Sequence, residues 1–279
     1  MCIRIQRIVL GVLATLLVGV GGFVFGVERA EGAKQILTTT SETAFTITTR
    51  EYVSDIQRIE FDFTGVVARW SYGIDDVIIQ TRTGNAPNTL GAWEYYPSAG
   101  DDLPDTLLGD TTQTLGAVIS TTPSRFMQYR LLFPTLYEGR KFSLTFQMFK
   151  TPYSGRYARV ASDAAGLGPR IISRQEWGAD ENLRTWKSEY APAKAIIIHH
   201  TAGEEKTLID QGEAMRNLYY GHAVGYGWGD IGYNYVIDVN GSIYEGRAGG
   251  GVIAGHTLGY NTGSIGIALI GDYNVRNVE

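Results

Sequence analysis

Four apolar residues, three of them β-branched, run directly into a pair of imidazoles in Ala195-Ile-Ile-Ile-His-His-Thr-Ala-Gly203. Such a run is predicted to be a strand covered on both faces. Ending it in His199-His200 puts polar side chains on its carboxyl edge, where open α/β sheets place ligands. A metal ligand would be presented in this way. Taken alone, a histidine after a strand is more often a hydrogen-bonded loop residue, so the surrounding pattern has to decide.

That pattern alternates strands with helix from Ile171 onward. Leu208, Met215, Leu218, Tyr219 and His222 fall at offsets of 7, 10, 11 and 14, close to multiples of a helical turn, and so share one face of a predicted helix. A strand over Tyr233–Asp238 follows, then an Asn240-Gly241 tight turn, a return strand through Tyr244, and an apolar strand over Ile265–Ile270. The economical architecture is an α/β domain with a mixed central sheet flanked by helices.

Five motifs occur in order with short spacers: Ile171-Ile-Ser-Arg-Gln-Glu-Trp-Gly-Ala-Asp180, the His199 strand, Asp230-Ile-Gly-Tyr-Asn-Tyr235 leading into Asp238-Val-Asn-Gly-Ser-Ile-Tyr-Glu-Gly-Arg247, Gly255-His-Thr-Leu-Gly-Tyr-Asn261, and Ser264-Ile-Gly-Ile-Ala-Leu-Ile-Gly271. The series resembles the peptidoglycan recognition protein and type 2 N-acetylmuramoyl-L-alanine amidase family. The resemblance implies a zinc hydrolase that cuts the amide between N-acetylmuramic acid and L-alanine of the stem peptide, with peptidoglycan as its partner. It makes His199 the first zinc ligand, leaves His200 as a residue that supports the ligand or the fold, and makes Tyr233 the catalytic tyrosine. His222 and His256 are implied to line the peptidoglycan groove. Arg247 and Asn261 are weaker groove residues that could equally hold loops through backbone hydrogen bonds. Trp177 and Trp228 are expected to pack, with Trp228 able to border the cleft.

The chemistry fits those residue types. Zinc can acidify water and polarise an amide carbonyl, and a phenol beside it is a fixed donor for a developing oxyanion. One departure stands out. The family's second histidine ligand and its third ligand, a cysteine or aspartate, normally follow the last of these strands by several dozen residues, and the sequence stops at Glu279. The chain is therefore expected to be a C-terminally incomplete and inactive part of an amidase domain. The alternative is a non-catalytic peptidoglycan-binding module, since some relatives keep the groove without the zinc ligands. A third reading gives the main function to the preceding domain and leaves residues 170–279 to dock it on the wall.

That preceding region, residues 35–150, reads as an all-β sandwich-like domain. Phe142-Ser-Leu-Thr-Phe-Gln-Met148 alternates apolar and polar residues, and 66–70, 77–81 and 126–133 are further strands separated by Gly, Pro, Asn and Asp clusters. Trp70, Trp93, Tyr95 and Tyr96 could form a glycan-stacking surface, but aromatics of this kind are more often core. Asp101, Asp102 and Asp105 lack the spacing of a calcium loop. No site is assigned here; what the resemblance implies for this domain is a spacer or wall-binding role, as in bacterial members of the family. Residues 151–169, rich in Gly, Ala, Ser and Pro, are the expected linker.

Residues 1–34 carry an address. Arg4 and Arg7 precede an uncharged run from Ile8 to Val27, long enough to cross a bilayer as a helix, with a cleaved signal peptide as the competing reading. Either places the remainder outside the cytoplasmic membrane, exported to the cell envelope and anchored or secreted. The only cysteine is Cys2, so a metal site beyond residue 28 must use His, Asp or Glu, and no disulfide is available. A formal net charge of -5 and the lack of a basic stripe argue against a nucleic-acid partner.

Overall fold

The computed structural model describes residues 23–26, 36–74, 76–99, 113–152, 168–203, 211–250 and 253–273. Its first part is built of β1 (Phe23–Gly26), β2 (Leu37–Thr46), β3 (Glu51–Val53), β4 (Gln57–Ser71), β5 (Ile78–Gly84), β6 (Glu94–Tyr95), β7 (Gln113–Leu115), β8 (Ile119–Leu132) and β9 (Lys141–Lys150). The expected two-sheet sandwich is realised as one continuous nine-stranded antiparallel sheet in the order β1-β2-β9-β4-β8-β5-β6, with β3 on β8 and β7 on β4. The reason lies in β4, which pairs with β8 over its first part and with β9 over its last, through register shifts between Arg58 and Gly65. Bulges of this kind bend a long strand, so one sheet can fold round its own core.

The alternation read in β9 holds: Phe142, Leu144, Phe146 and Met148 are buried together with Phe63, Met127, Tyr129 and Leu131. Trp70 and Tyr96 belong to this core. Tyr95 does not, being 56% exposed, and Trp93 lies over the Arg82 and Arg130 guanidiniums at 4.5 and 4.9 Å.

The N-terminal apolar run, expected as a helix to Val27, differs where it is described. Phe23–Gly26 is a strand paired with Thr38–Ser41 of β2. Its Phe-Val-Phe sequence favours the pleated form, and β2 offers it an open edge. The rest of residues 1–34 lies outside the described residues, as do Asp101, Asp102 and Asp105 and most of the expected linker. Among the described residues no helix is long and apolar enough to cross a membrane.

The second part contains β10 (Ile171–Ile172), α1 (Arg174–Trp177), β11 (Ala195–His200), α2 (Gln211–Tyr220), a π-helical turn over Gly221–Gly225, β12 (Tyr235–Ile237), β13 (Ile243–Glu245) and β14 (Ser264–Leu269). Its sheet runs β10-β13-β12-β14-β11 and is mixed, as read: only β12 and β13 pair antiparallel. The Asp238 carboxylate accepts from the amides of Asn240 and Ser242 and from the Tyr244 hydroxyl, which fixes the hairpin around Gly241. Ser173 caps α1 reciprocally with Glu176.

One expectation is corrected here. Among the described residues β11 is an edge strand with β14 as its one strand neighbour, and Ile196 and Ile198 are 65% and 60% exposed. Hydropathy alone could not distinguish a strand buried on both faces from an edge strand with one open apolar face.

The two parts share a core. From the predicted helix face, Met215, Leu218, Tyr219 and His222 are buried, while Leu208 lies outside the described residues. α2 is buried nearly all round because its other side meets the β domain at Val67, Val118 and Phe149. Its polar members there are satisfied. Asn217 Nδ2 donates to Thr64 O at 2.9 Å, and its Oδ1 accepts from the Thr151 hydroxyl at 2.9 Å.

Candidate active site

The site forms at the carboxyl ends of β11 and β14 and in the loops beside them. Strand alternation sends His199 and His200 to opposite faces. His199 faces Tyr233 and His256, with ring centroids 5.5 and 4.9 Å away. His200 turns to the other side, where its Nδ1 accepts from the Tyr273 amide at 3.0 Å and lies 3.5 Å from Asp272 Oδ1. Two consecutive imidazoles therefore do two different jobs.

A chain of contacts runs from Ser264 through His256 to Nε2 of His199. The Ser264 hydroxyl donates to Tyr260 O at 2.6 Å, so its oxygen must accept from His256 Nε2 at 3.1 Å. A neutral His256 protonated on Nε2 has a lone pair on Nδ1, and that atom lies 2.9 Å from His199 Nε2. With His256 in that form and accepting from His199, the His199 proton is on Nε2 and Nδ1 is its lone-pair nitrogen. Orienting a ligating imidazole through its second nitrogen is how outer-shell groups prepare metal ligands. Thr257 Oγ1 sits beside both rings, 3.0 Å from His256 Nδ1 and 3.3 Å from His199 Nε2. Gly266 on β14 makes the room: a Cβ there would collide with the His256 ring.

Tyr233 follows a turn held by another histidine. His222, in the π-helical turn after α2, accepts from the Gly232 amide through Nδ1 at 3.0 Å, and its ring centroid is 5.6 Å from that of Tyr233. It lies among Tyr226 and Trp228, at 5.2 and 4.7 Å. Burial, reinforced by the charge of Arg247, pushes its pKa down to about 3. A neutral ring is what the geometry needs, because only a neutral Nδ1 can accept that amide proton.

Beneath this turn Asp230 gathers the charges. One of its oxygens accepts from Arg174 Nη1 at 3.0 Å and from the Ile231 amide at 2.8 Å, and the other from the Ala248 amide at 3.0 Å. Arg247 is 1% exposed, donates through Nε to Ile231 O at 2.9 Å, and lies 4.3 Å over the Trp186 ring. Desolvation pulls its pKa down to about 10 against the attraction of Asp230. The Asn261 oxygen accepts from the amides of His256 and Thr257, at 2.7 and 2.9 Å, and so ties the His256 loop.

The structure thus brings His199, Tyr233, His256 and His222 together, places Arg247 and Asn261 in their supports, and takes His200 away from them. Trp177 and Trp228 are buried, as packing residues would be. Sequence reasoning missed the His199–His256 contact, the roles of Thr257 and Ser264, and Tyr226. The motifs containing the first three were in view, but their convergence depends on β11 pairing parallel with β14.

As for zinc, His199 fits as a ligand by its orientation and position. Among the described residues no group of three His, Cys, Asp or Glu side chains could hold a metal ion. The fit is therefore to one ligand of a set.

Residues 189–278 match the family described as N-acetylmuramoyl-L-alanine amidase. The chain is 38% identical over 119 residues to peptidoglycan-recognition protein SC2 of Drosophila melanogaster, covering 41% of this chain and 61% of that protein. It is 35% identical over 78 residues to peptidoglycan recognition protein 1 of Bos taurus, covering 28% and 40%. Among solved structures, it is similar to Drosophila PGRP-LB, with 38% identity, a TM-score of 0.34 and coverage of 38% and 63%. A further similar structure is peptidoglycan recognition protein LE in complex with tracheal cytotoxin, a monomeric diaminopimelic acid-type peptidoglycan, with 36% identity, a TM-score of 0.33 and coverage of 36% and 59%. The chain spans at most 61% of the length of either of these curated relatives.

Proposed function

We propose, from the premise that the region from about residue 170 belongs to the peptidoglycan recognition protein and type 2 amidase family, that it serves a zinc-dependent N-acetylmuramoyl-L-alanine amidase acting on peptidoglycan at the cell envelope. The observation that supports this reading is the Ser264–His256–His199 chain, which orients the His199 ring through its Nε2 as an outer group orients a ligating imidazole. A groove used for recognition alone has no need of that orientation. When bound, zinc supplies Lewis acidity toward water and toward the scissile carbonyl. His199 would hold the ion, and Tyr233 would donate its phenolic proton to the oxygen that gains charge during amide cleavage.

The second reading, a peptidoglycan-binding module without catalysis, is favoured by one observation: the described residues do not assemble three metal-ligating side chains. Catalytic zinc sites use three protein ligands. The test is zinc stoichiometry and muropeptide release by the protein expressed to its natural stop codon, beside Tyr233→Phe and His199→Ala in the same background. The amidase reading expects bound zinc that is lost in His199→Ala, and release reduced about a hundredfold in Tyr233→Phe. Peptidoglycan retained without zinc or release would leave the recognition reading in its place.

A further inference from the structure

Among the described residues, a path of close contacts leads from the β domain to the candidate site. Its segment 116–118 is seated from below by Tyr96, whose hydroxyl donates to Ala117 O at 2.6 Å and whose ring leaves no space for a side chain at Gly116. From above, the Tyr226 hydroxyl donates to Gly116 O. Next to it, Gly221 lies so close to Val118 that a Cβ there would overlap both Val118 methyls. Gly225 meets Val67 in the same way, though less tightly. The π-helical turn 221–225 is thus pressed against the β domain along its length. Side chains at 221 and 225 would hold the surfaces apart.

The same turn carries His222. Tyr226 stacks on its ring at 5.2 Å with planes inclined by 25°, and Trp228 closes the other contact at 4.7 Å. Backbone bonds from the Tyr226 amide to Gly221 O and from the Trp228 amide to His222 O lock the turn onto these rings. His222 Nδ1 in turn holds the amide of Gly232, the residue before Tyr233. Every link is buried: Tyr226 is 8% exposed, Trp228, His222 and Tyr233 4% each. A displacement at Val118 therefore has no slack in which to dissipate before it reaches Gly232, because close-packed interiors transmit strain.

We infer that the β domain is a working part of the site rather than a spacer, with Tyr226 as a positioning residue that couples Gly116 of the β domain through His222 to the Gly232–Tyr233 turn. The inference rests on the proposed function only in giving Tyr233 a catalytic role; the coupling itself needs neither zinc nor substrate.

Amide hydrogen exchange and selectively labelled tyrosine spectra of the full chain test it, without metal or ligand. Gly221→Ala wedges the interface without touching the aromatic rings, Val118→Ala removes the methyls it meets, and Tyr226→Phe deletes the bond to Gly116 O. Gly221→Ala is expected to speed exchange at Gly232 by about tenfold and to shift the Tyr233 ring signal. Adding Val118→Ala should restore both. Tyr226→Phe should speed Gly232 about fivefold, the loss expected for one net hydrogen bond of ~1 kcal/mol. Amides of β9 residues 142–148 report that the β domain stays folded. Exchange at Gly232 that matches the parent in Gly221→Ala, or a change there that Val118→Ala does not relieve, overturns the coupling. Zinc stoichiometry and muropeptide release, measured separately, decide the amidase reading, so either idea can fail alone.

Discussion

The two halves of this molecule solve the problem of a core differently. The β domain buries apolar side chains on one folded sheet: Phe63, Phe142, Phe146, Met127, Met148 and Leu131 are essentially inaccessible, and its aromatic rings meet at 5–6 Å. The second half buries polarity. Arg174, Arg247, Asp230, Asn234, His222, His256 and Asn261 are all 5% exposed or less, yet its edge strand leaves two isoleucines open. The first arrangement rests mainly on filled volume, with neutral polar side chains such as Ser54 and Gln128 bonded beside it. The second holds its loops around Tyr233 and His199 through the partners that Asp230, Asn261 and His222 give to backbone amides, at the expense of apolar burial.

The largest expected break follows from the charge cluster. Asp230→Ala leaves Arg247 buried without the carboxylate that offsets its charge, while Arg174 keeps its pair with Glu181 at 2.7 Å, a loss of about 3–5 kcal/mol for an uncompensated buried charge. Phe146→Ala in the β domain should cost a similar ~3–5 kcal/mol through cavity formation alone. Urea titrations separate the causes. Asp230→Ala combined with Arg247→Met should recover part of the loss, whereas no charge change rescues Phe146→Ala. Equal deficits with and without Arg247→Met would show that Asp230 acts only through its bonds to the backbone amides.

A second contrast is with pH. His222 has its folded pKa lowered to about 3 by burial, against 6.5 when the group is solvated. Below pH 6.5 the unfolded chain binds a proton that the folded chain refuses, so stability falls as pH drops from 6.5 toward 3, by up to ~1.4 kcal/mol per unit. No buried histidine occurs in the β domain. Denaturation of the parent and of His222→Gln at pH 7.5, 5.5 and 4.5 should give parallel behaviour above 6.5 and a shallower decline for the variant below it. Identical slopes would mean that His222 is solvated.

Smaller in size is the effect at Gly266. Gly266→Ala places a methyl against the His256 ring, and overpacking of this kind costs ~1–3 kcal/mol. Its signature should be local: the His199 imidazole nitrogen signals change tautomer distribution while β-domain signals stay fixed. An unaltered His199 spectrum would show that the Ser264–His256 chain does not set its tautomer.

Legibility in the sequence followed the same divide. The β9 alternation, the alternation of strands and helix behind the mixed sheet, and the Asn240-Gly241 hairpin were readable because each depends on local periodicity or turn chemistry, whereas the strand order was not. His199 and Tyr233 were readable only through ordered motifs. The partners that give them geometry were not, since His256 meets His199 across 57 residues and Tyr226 meets Gly116 across 110. The continuous sheet was hidden by bulges in β4, which leave hydropathy alternation nearly intact while changing the strand's partner.

The smallest thermodynamic effect has the clearest consequence for handling. Among the described residues Ile196 and Ile198 point to an open face of β11, and Ile265 and Ile267 of β14, opposite them in register, continue the apolar surface. A lysine at either position loses little packing, so Ile196→Lys and Ile198→Lys should change unfolding free energy by less than ~0.5 kcal/mol. They should, however, suppress association, because an apolar face beside an unpaired strand edge invites pairing and a charge there opposes it. Light scattering against concentration decides the matter. The expected result is a lower association tendency at unchanged midpoint of unfolding, while the equivalent lysine at buried Leu144 in the β domain should unfold the protein. A large destabilisation by Ile198→Lys would show that this face is covered, and would turn the difference between the two sheets into one of degree.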